Sequence, residues 1–456
     1  MDETCNRPLS EETLAASPEG WTAGPPVCFT PLMNSALDSS GATEILKSLY
    51  GSKPGAVQRQ KARYGGLVER FQSAFPLAGP PRLFSTPGRT EICGNHTDHN
   101  GGRVLAAAVD LDAIAAAAPT SDGLITVQSE GYPRQSVRLD DLARKDAERS
   151  TATALTRGVA ARMKDVGYAV GGFCACVTSD VLKGSGLSSS ASYEVLIATI
   201  LNHFWNAGGV PALELALIAQ YSENEYFGKP CGLMDQTTCA LGGFVTIDFQ
   251  DFAHPRVRSV SSEFSGSGYV PVIVDTGGSH ADLTDDYAAV KDEMKDVSRF
   301  FGGTVLRDIS KDRVLAELPA LRGKVSDRAI LRALHFYADD LRVEQEVQSL
   351  EGGRFQEFLR LVKESGLSSW TLLQNCYSCR NVREQGVPVA LSLSQSLLGE
   401  NGAWRVHGGG FAGTILSFVP DGKLGEYLSG MAAVFGAGSC HALSIRPAGA
   451  VMLNIT

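Results

Sequence analysis

The sequence predicts an α+β fold in two lobes, with mixed β-sheets packed against helices. Three observations predict it. Short alternating apolar runs interleave with segments of helical period, and no fixed repeat is visible. A chain of 456 residues exceeds what one hydrophobic core usually serves. A polar stretch over residues 259–268 separates two such groupings and marks a boundary near residue 265. The expected divisions are therefore an extension over residues 1–80, an N-terminal lobe over 81–265 and a C-terminal lobe over 266–456.

Each element has its own signal. Residues 1 to about 40 are rich in Pro, Ser, Thr and Gly without a sustained period, and are expected to be mobile or loosely packed. Residues 42–74 turn helical, with Ile45, Leu46, Leu49, Tyr50 and then Tyr64, Leu67, Val68, Phe71 at helical spacing. Leu83, Phe84 and Ser85 form a short strand leading into a glycine-rich loop. Residues 104–118 are apolar apart from Asp110 and Asp112, which suits paired strands. Further strands are expected over 124–127, 135–139, 173–179, 242–249 and 270–275. Helices are expected over 151–166, 192–206, 211–227, 287–300, 326–350 and 355–364. Residues 403–419 hold a glycine run between short strands, and 441–455 supply a terminal strand pair.

Composition narrows the function. Apolar residues make up 43% and charged residues 20%, as in ordinary globular proteins. A formal charge of −9 provides no basic footprint for nucleic acid or an acidic membrane surface. No apolar run approaches the roughly 20 residues needed to cross a bilayer. The opening Met-Asp-Glu-Thr-Cys is acidic and lacks the apolar stretch of a secretory signal, so a cytoplasmic location is expected. The ten cysteines are scattered, with Cys174/Cys176 and Cys376/Cys379 the close pairs. They read as reduced thiols, with a metal or redox role as the alternative.

Chemistry concentrates in glycine-rich segments. Residues 87–102 place Arg89, Asn95, His96, Asp98 and Asn100 among glycines, a loop suited to gripping a hydroxyl-rich small molecule. Residues 183–192, Lys-Gly-Ser-Gly-Leu-Ser-Ser-Ser-Ala-Ser, join a strand to a helix. Backbone N–H groups there can approach an anion, and the helix N-terminus adds partial positive charge. The run is not the G-x-x-x-x-G-K-[ST] P-loop, since no lysine stands directly before a hydroxyl residue. Glu223 and Asp235, twelve residues apart, can supply the two carboxylates that phosphoryl transfer needs for metal and nucleophile. A solvated helix glutamate and a helix-capping aspartate are the competing readings.

Together these segments resemble the galactokinase family of the kinase superfamily that includes homoserine, mevalonate and phosphomevalonate kinases. Gly94-Asn-His-Thr-Asp-His-Asn-Gly-Gly102 resembles its sugar signature. Residues 184–191 resemble its phosphate loop, and 228–236 its Gly-x-x-Cys-Gly-x-Met-Asp-Gln motif. Residues 408–413 resemble its third motif, with Ala412 replacing a glycine. The resemblance implies a GHMP-kinase-like fold with the active site between the lobes. It also implies ATP and Mg²⁺ as cofactors and transfer to the anomeric hydroxyl of α-D-galactose.

By the same resemblance, Asp235 is the catalytic base and Arg89 holds it ionised. Asn95, His96, Asp98, Gly232 and Tyr287 contact the sugar, although Tyr287 also reads as a core tyrosine. Gly184, Gly186, Ser188, Ser189 and Ser190 contact phosphate, and Ser190 and Glu223 ligate Mg²⁺. Asn95 stands where the family has glutamate and His99 where it has tyrosine, which leaves galacturonate or an N-acetylated galactose relative as alternative substrates. Ala152 and Leu155 occupy the helix where an aromatic pair commonly flanks adenine. A non-catalytic sugar- and ATP-binding sensor is the reading of another class. The expected partners are the sugar and ATP, without nucleic acid or membrane, in a monomer or weak oligomer.

Overall fold

Two antiparallel strands, β1 (Arg82–Cys93) and β2 (Arg103–Thr120), form the centre of the larger of two sheets in the computed structural model. The structure describes residues 29–51, 53–182, 186–278 and 283–455. Alanine explains how β2 can be buried on both faces. Alternate residues of a strand point to opposite sides, and small side chains let helices approach both. Ala113, Ala115 and Ala117 pack with Leu196, Ile197 and Ile200 of the helix Ser189–Trp205. Ile114, Ala116 and Ala118 pack with Leu46, Tyr64 and Leu67 of the N-terminal helices.

The sequence had suggested paired strands across residues 104–118, but the chain runs through as one. Asp110 and Asp112 mark a bulge instead of a turn. Pro87 pairs with Asp112 and Arg89 with Ala108, so residues 109–111 are looped out opposite Gly88. The C-terminal segment fills the bulge: Val109 bridges Ile445, and the Ser444 N–H donates to Asp110 Oδ1 at 2.7 Å. β1 is likewise longer than the expected Leu83–Ser85, and it carries Arg89 on a strand.

The remaining strands are β3 (Leu124–Ser129), β4 (Gln135–Arg138), β5 (Gly172–Ser179), β6 (Phe244–Asp248), β7 (Arg256–Val260) and β8 (Tyr269–Asp275), followed by β9 (Ala403–Val406), β10 (Thr414–Pro420), β11 (Cys440–Ala442) and β12 (Val451–Leu453). The first sheet runs β12-β1-β2-β5-β3-β4, with β6 on the far half of β2 and β7 beyond it. β3 pairs with β5 in parallel, so the sheet is mixed. The second sheet runs β11-β8-β10-β9 and is antiparallel. The two share a core, since Ile92, Leu105 and Val109 pack in one cluster with Val343, Phe358, Leu416 and Phe418.

Several expectations change. β11 and β12 do not pair with each other: β11 joins β8 and β12 returns to β1. β7 ends inside the polar stretch read as a linker. The helix Thr30–Asp38 lies within residues expected to be loose, with Pro31 in its first turn. Residues 1–28, on which the rest of that expectation falls, lie outside the described residues. Helices Gly386–Leu398 and Leu424–Phe435 had no counterpart in the sequence reading. Among the described residues no helix is long and apolar enough to cross a membrane.

A buried polar cluster ties the N-terminal helices to the bulge. Asp112, fully buried, accepts from Arg63, Ser85, Tyr50 Oη (2.5 Å) and Arg446 Nη1 (3.0 Å). Burial alone would raise its pKa, but Arg63 and Arg446 outweigh that and hold it below the usual carboxylate value. A depressed native pKa stabilises the fold above the unfolded value of about 3.9, and that stability is lost as pH falls through the native value. Asp112→Asn leaves buried Arg446 without its anion and Arg63 with only the half-exposed Asp180. It is expected to cost about 3–5 kcal/mol at pH 7 in urea unfolding, and to flatten the loss of stability below about pH 4.

Candidate active site

The bend in β1 decides where Arg89 points. Its N–H donates to Leu187 O at 3.1 Å, across the bulge, which turns the side chain toward the loop after β5. Arg89 Nη2 and Nε then lie 2.6 and 2.7 Å from Asp235 Oδ1, and Nη1 donates to Gly186 O. Asp235 sits in the first turn of the helix Met234–Leu241. Its other oxygen accepts from Ser188 Oγ at 2.6 Å. Burial opposes ionisation of Asp235, yet Arg89 and the Ser188 hydroxyl outweigh it and hold the carboxyl below its ordinary range. Asp235 is therefore an anion at neutral pH.

Ser188 closes the loop with a left-handed backbone (φ 59°), and Ser189 begins the helix that follows. Gly186 has φ +74°, and a Cβ there would lie 2.9 Å from His407 Nδ1, so the position suits glycine on both counts. Gly184 lies outside the described residues. Ser190 Oγ donates to Glu223 Oε1 at 2.9 Å, and Gln236 Nε2 donates to Glu223 Oε2 at 2.7 Å. Glu223 is buried in the wide helical turn Ser222–Phe227, which rules out the solvated-glutamate alternative. Among the described residues no group of three or more His, Cys, Asp or Glu side chains is arranged to hold a metal. Ser190 and Glu223 thus offer two hard oxygen donors, a set that suits Mg²⁺ when phosphate oxygens and water complete its shell.

A cavity of about 420 Å³ opens between these groups and the third glycine run. Arg89, Gly186, Ser188, Ser189, Ser190 and Asp235 line one side. Gly408, Gly409, Gly410 and Tyr287 line the other. Tyr287, on the helix Thr284–Phe300, donates from its hydroxyl to Gly410 O at 2.9 Å and meets Phe411 edge-on at 5.4 Å. A Cβ on Gly409 would lie 2.5 Å from the Tyr287 ring, so loop and tyrosine are in close contact. A larger cavity, about 800 Å³, lies apart from the carboxylates between Gly277, Arg383 and Phe411. The smaller one is lined by Arg89 and Asp235.

The sugar-signature loop begins at Gly94, and its backbone hangs from the helix Asp327–Glu351. Gly94 N–H and Asn95 N–H donate to Asp339 Oδ2 at 3.1 and 3.0 Å, and His335 Nε2 donates to Asn95 O at 2.9 Å. Asn95 itself is 1% exposed. Its Nδ2 donates to Glu91 Oε1 (2.8 Å) and Gly408 O (2.7 Å), while its Oδ1 accepts from Asn375 Nδ2 (2.6 Å). Glu91 is also buried and accepts from Arg405 at 3.1 Å. A sugar contact from Asn95 thus requires Gly408 to move.

His96, half-buried with φ 61°, donates from Nε2 to Gly409 O at 2.9 Å. Burial, with His99 nearby, lowers its pKa to about 4, so the ring is neutral at physiological pH. Asp98 is half-buried, and a Cβ on Gly232 would lie 3.0 Å from its Oδ2, which puts those two positions side by side.

Asn375, Glu91, Arg405, His335 and Asp339 were not singled out from sequence. Asn375 meets a partner 280 residues away, a distance over which no local pattern speaks. Lys229 and His407 also line the cavity without having been anticipated. The lysine was visible inside the 228–236 motif.

The galactokinase galactose-binding signature matches residues 69–119, and the GHMP kinases N terminal domain matches residues 154–243. A galactokinase from Streptomyces coelicolor is 30% identical over 364 residues, spanning 78% of this chain and 88% of that protein. The crystal structure of Lactococcus lactis galactokinase complexed with galactose has a TM-score of 0.72 at 22% identity, covering 84% of this chain and 98% of that one. Methanococcus jannaschii mevalonate kinase gives 0.58 at 15% identity, covering 82% and 99%. Fold and phosphate-loop domain define a small-molecule kinase of the GHMP type, a class for which ATP is the implied phosphoryl donor. Within that class, the chain belongs to the galactokinase family of sugar kinases.

The Asn95 network yields a test of its own. Restoring the family's acid by Asn95→Glu places a second carboxylate against buried Glu91, with Arg405 the shared cation. It is expected to destabilise the protein by about 3 kcal/mol in urea unfolding, whereas an exposed sugar-facing residue would change stability by under about 0.5 kcal/mol.

Proposed function

We propose that the protein transfers the γ-phosphoryl group of ATP to the anomeric hydroxyl of α-D-galactose, giving galactose 1-phosphate. The observation that carries this reading is the Arg89–Asp235–Ser188 constellation at the wall of a cavity shared by the phosphate loop and the third glycine run. A galactokinase crystallised with galactose has the same fold, which supports the choice of sugar.

In this reading, His96, Asp98, Gly232 and Tyr287 hold the sugar, and Asn95 joins them once Gly408 withdraws. Asp235 orients the anomeric hydroxyl and accepts its proton as the new O–P bond forms and the bond to ADP breaks. Because Arg89 depresses its pKa, Asp235 is a weak base, which suits a loose transition state in which the proton leaves late. Arg89 offsets charge on the attacking oxygen, and Gly186, Ser188 and Ser189 steady the phosphates alongside Gly184. Ser190 and Glu223 would hold Mg²⁺, which when bound neutralises phosphate charge. Alignment and fixed charge supply most of the rate.

We read residues 81–265 and 266–456 as the two lobes, with β12 the strand that returns, and residues 1–80 as an extension. We read the protein as acting as a monomer or weak oligomer. A cytoplasmic site follows from the need for ATP.

Asp235→Asn is expected to lower kcat by about 10²–10⁴-fold while galactose affinity, measured calorimetrically, stays within about twofold. Wild-type turnover of galactose assayed beside galacturonate and N-acetylgalactosamine should favour galactose; preference for either of the others would overturn the substrate choice. The pH dependence of kcat/KM should show no Asp235 limb between about pH 5 and 8, because its pKa lies below the ordinary value of about 3.9.

A further inference from the structure

The cavity contains a cation to which the reaction above gives no task. A nucleoside triphosphate keeps about two negative charges after one divalent ion binds, and a kinase site has to meet them. Here the described part of the phosphate loop, residues 186–192, contributes serine hydroxyls and no cation, and Lys183 lies outside the described residues. Among the described residues that line the cavity, the permanent cations are Arg89 and Lys229. Arg89 is committed to Asp235 through two contacts under 3 Å, 2.6 and 2.7 Å. Lys229 remains.

Its placement is specific. The N–H groups of Gly228 and Lys229 both donate to Glu223 O, at 3.0 and 3.1 Å, so the turn pins the lysine backbone beside the phosphate loop. The ammonium lies 3.2 Å from Glu223 Oε1, the oxygen that also accepts from Ser190 Oγ at 2.9 Å. The lysine side chain is 62% exposed and Glu223 only 1%, so the head group reaches in from the cavity rim on a mobile stem. A cation set on a carboxylate that is also the candidate metal ligand can serve as its stand-in.

We propose that Lys229 is a phosphate-binding residue of this kinase. It neutralises Glu223 while that carboxylate is free, and turns onto the β- and γ-phosphate oxygens when Glu223 is taken up with the nucleotide. Lys229 thus does from a separate turn what a P-loop lysine does from within its own loop. The inference rests on the kinase reading of the site but not on which sugar is used.

The test uses the full chain and three forms: wild type, Lys229→Met and Lys229→Arg. Calorimetric titration with MgATP should show about tenfold or greater weakening in Lys229→Met, the size expected for one charge-assisted contact, with most of it restored in Lys229→Arg. Galactose affinity should stay near wild type, and the thermal midpoint should fall by a few degrees at most, because Glu223 loses its neutralising cation. The MgATP affinity of wild type should also fall more steeply with added salt than that of Lys229→Met, since one ionic contact is missing in the variant. Unchanged MgATP affinity, or equal loss of MgATP and galactose binding together with a lowered midpoint, overturns the proposal. If wild type fails to phosphorylate galactose while Lys229→Met still loses MgATP affinity, the sugar assignment fails and the lysine assignment stands.

Discussion

Arg89 and Asp235 come from segments 146 residues apart and meet at 2.6 Å in a largely buried setting. Two opposite charges taken out of water are tolerable only if each is held where the other needs it. Much of the surrounding architecture serves that requirement. The bulge in β2 lets β1 bend, Leu187 O fixes the Arg89 backbone, and Ser188 supplies the second carboxylate oxygen with a donor. The bulge in turn is filled by residues 444–446 and tied through Asp112 to the N-terminal helices. Distant parts of the chain therefore converge on one ion pair, and the same pair keeps a carboxylate ionised beside the serine-rich loop.

A second set of contacts joins the two halves of the site. His96, Asn95, Asn375 and Tyr287 hold the carbonyls of Gly408, Gly409 and Gly410. Three of the residues assigned to the sugar, Asn95, His96 and Tyr287, thus grip the third glycine run directly. A ligand that uses those side chains must exchange its own hydrogen bonds for the ones they make to the loop, so sugar binding and loop position are linked through a shared set of donors.

The sequence was most informative where function concentrates unusual residues in short stretches. Glycine and serine between residues 183 and 192 marked a strand-to-helix junction that the structure has between β5 and the helix Ser189–Trp205. Long helices such as Asp327–Glu351 were legible from their period. What escaped was set by partners far away in the chain. Alanines on both faces of β2 could not reveal a single long strand until its two helical layers were known, and strand-like alternation around Asp110 and Asp112 concealed a bulge. Asn95 illustrates the limit best. Its identity suggested a residue facing the sugar, yet Glu91, Gly408 and Asn375 fill its hydrogen-bonding capacity, and two of those three lie some 280 residues or more away.

The claim that Arg89 and Asp235 act as one unit is tested most directly by a double-mutant cycle on kcat/KM for galactose, using Arg89→Met, Asp235→Asn and their combination. The account predicts strong non-additivity, with the double variant little worse than either single one, because each substitution already dismantles the pair. Losses that multiply across the two positions would show that arginine and carboxylate contribute independently, and would contradict it.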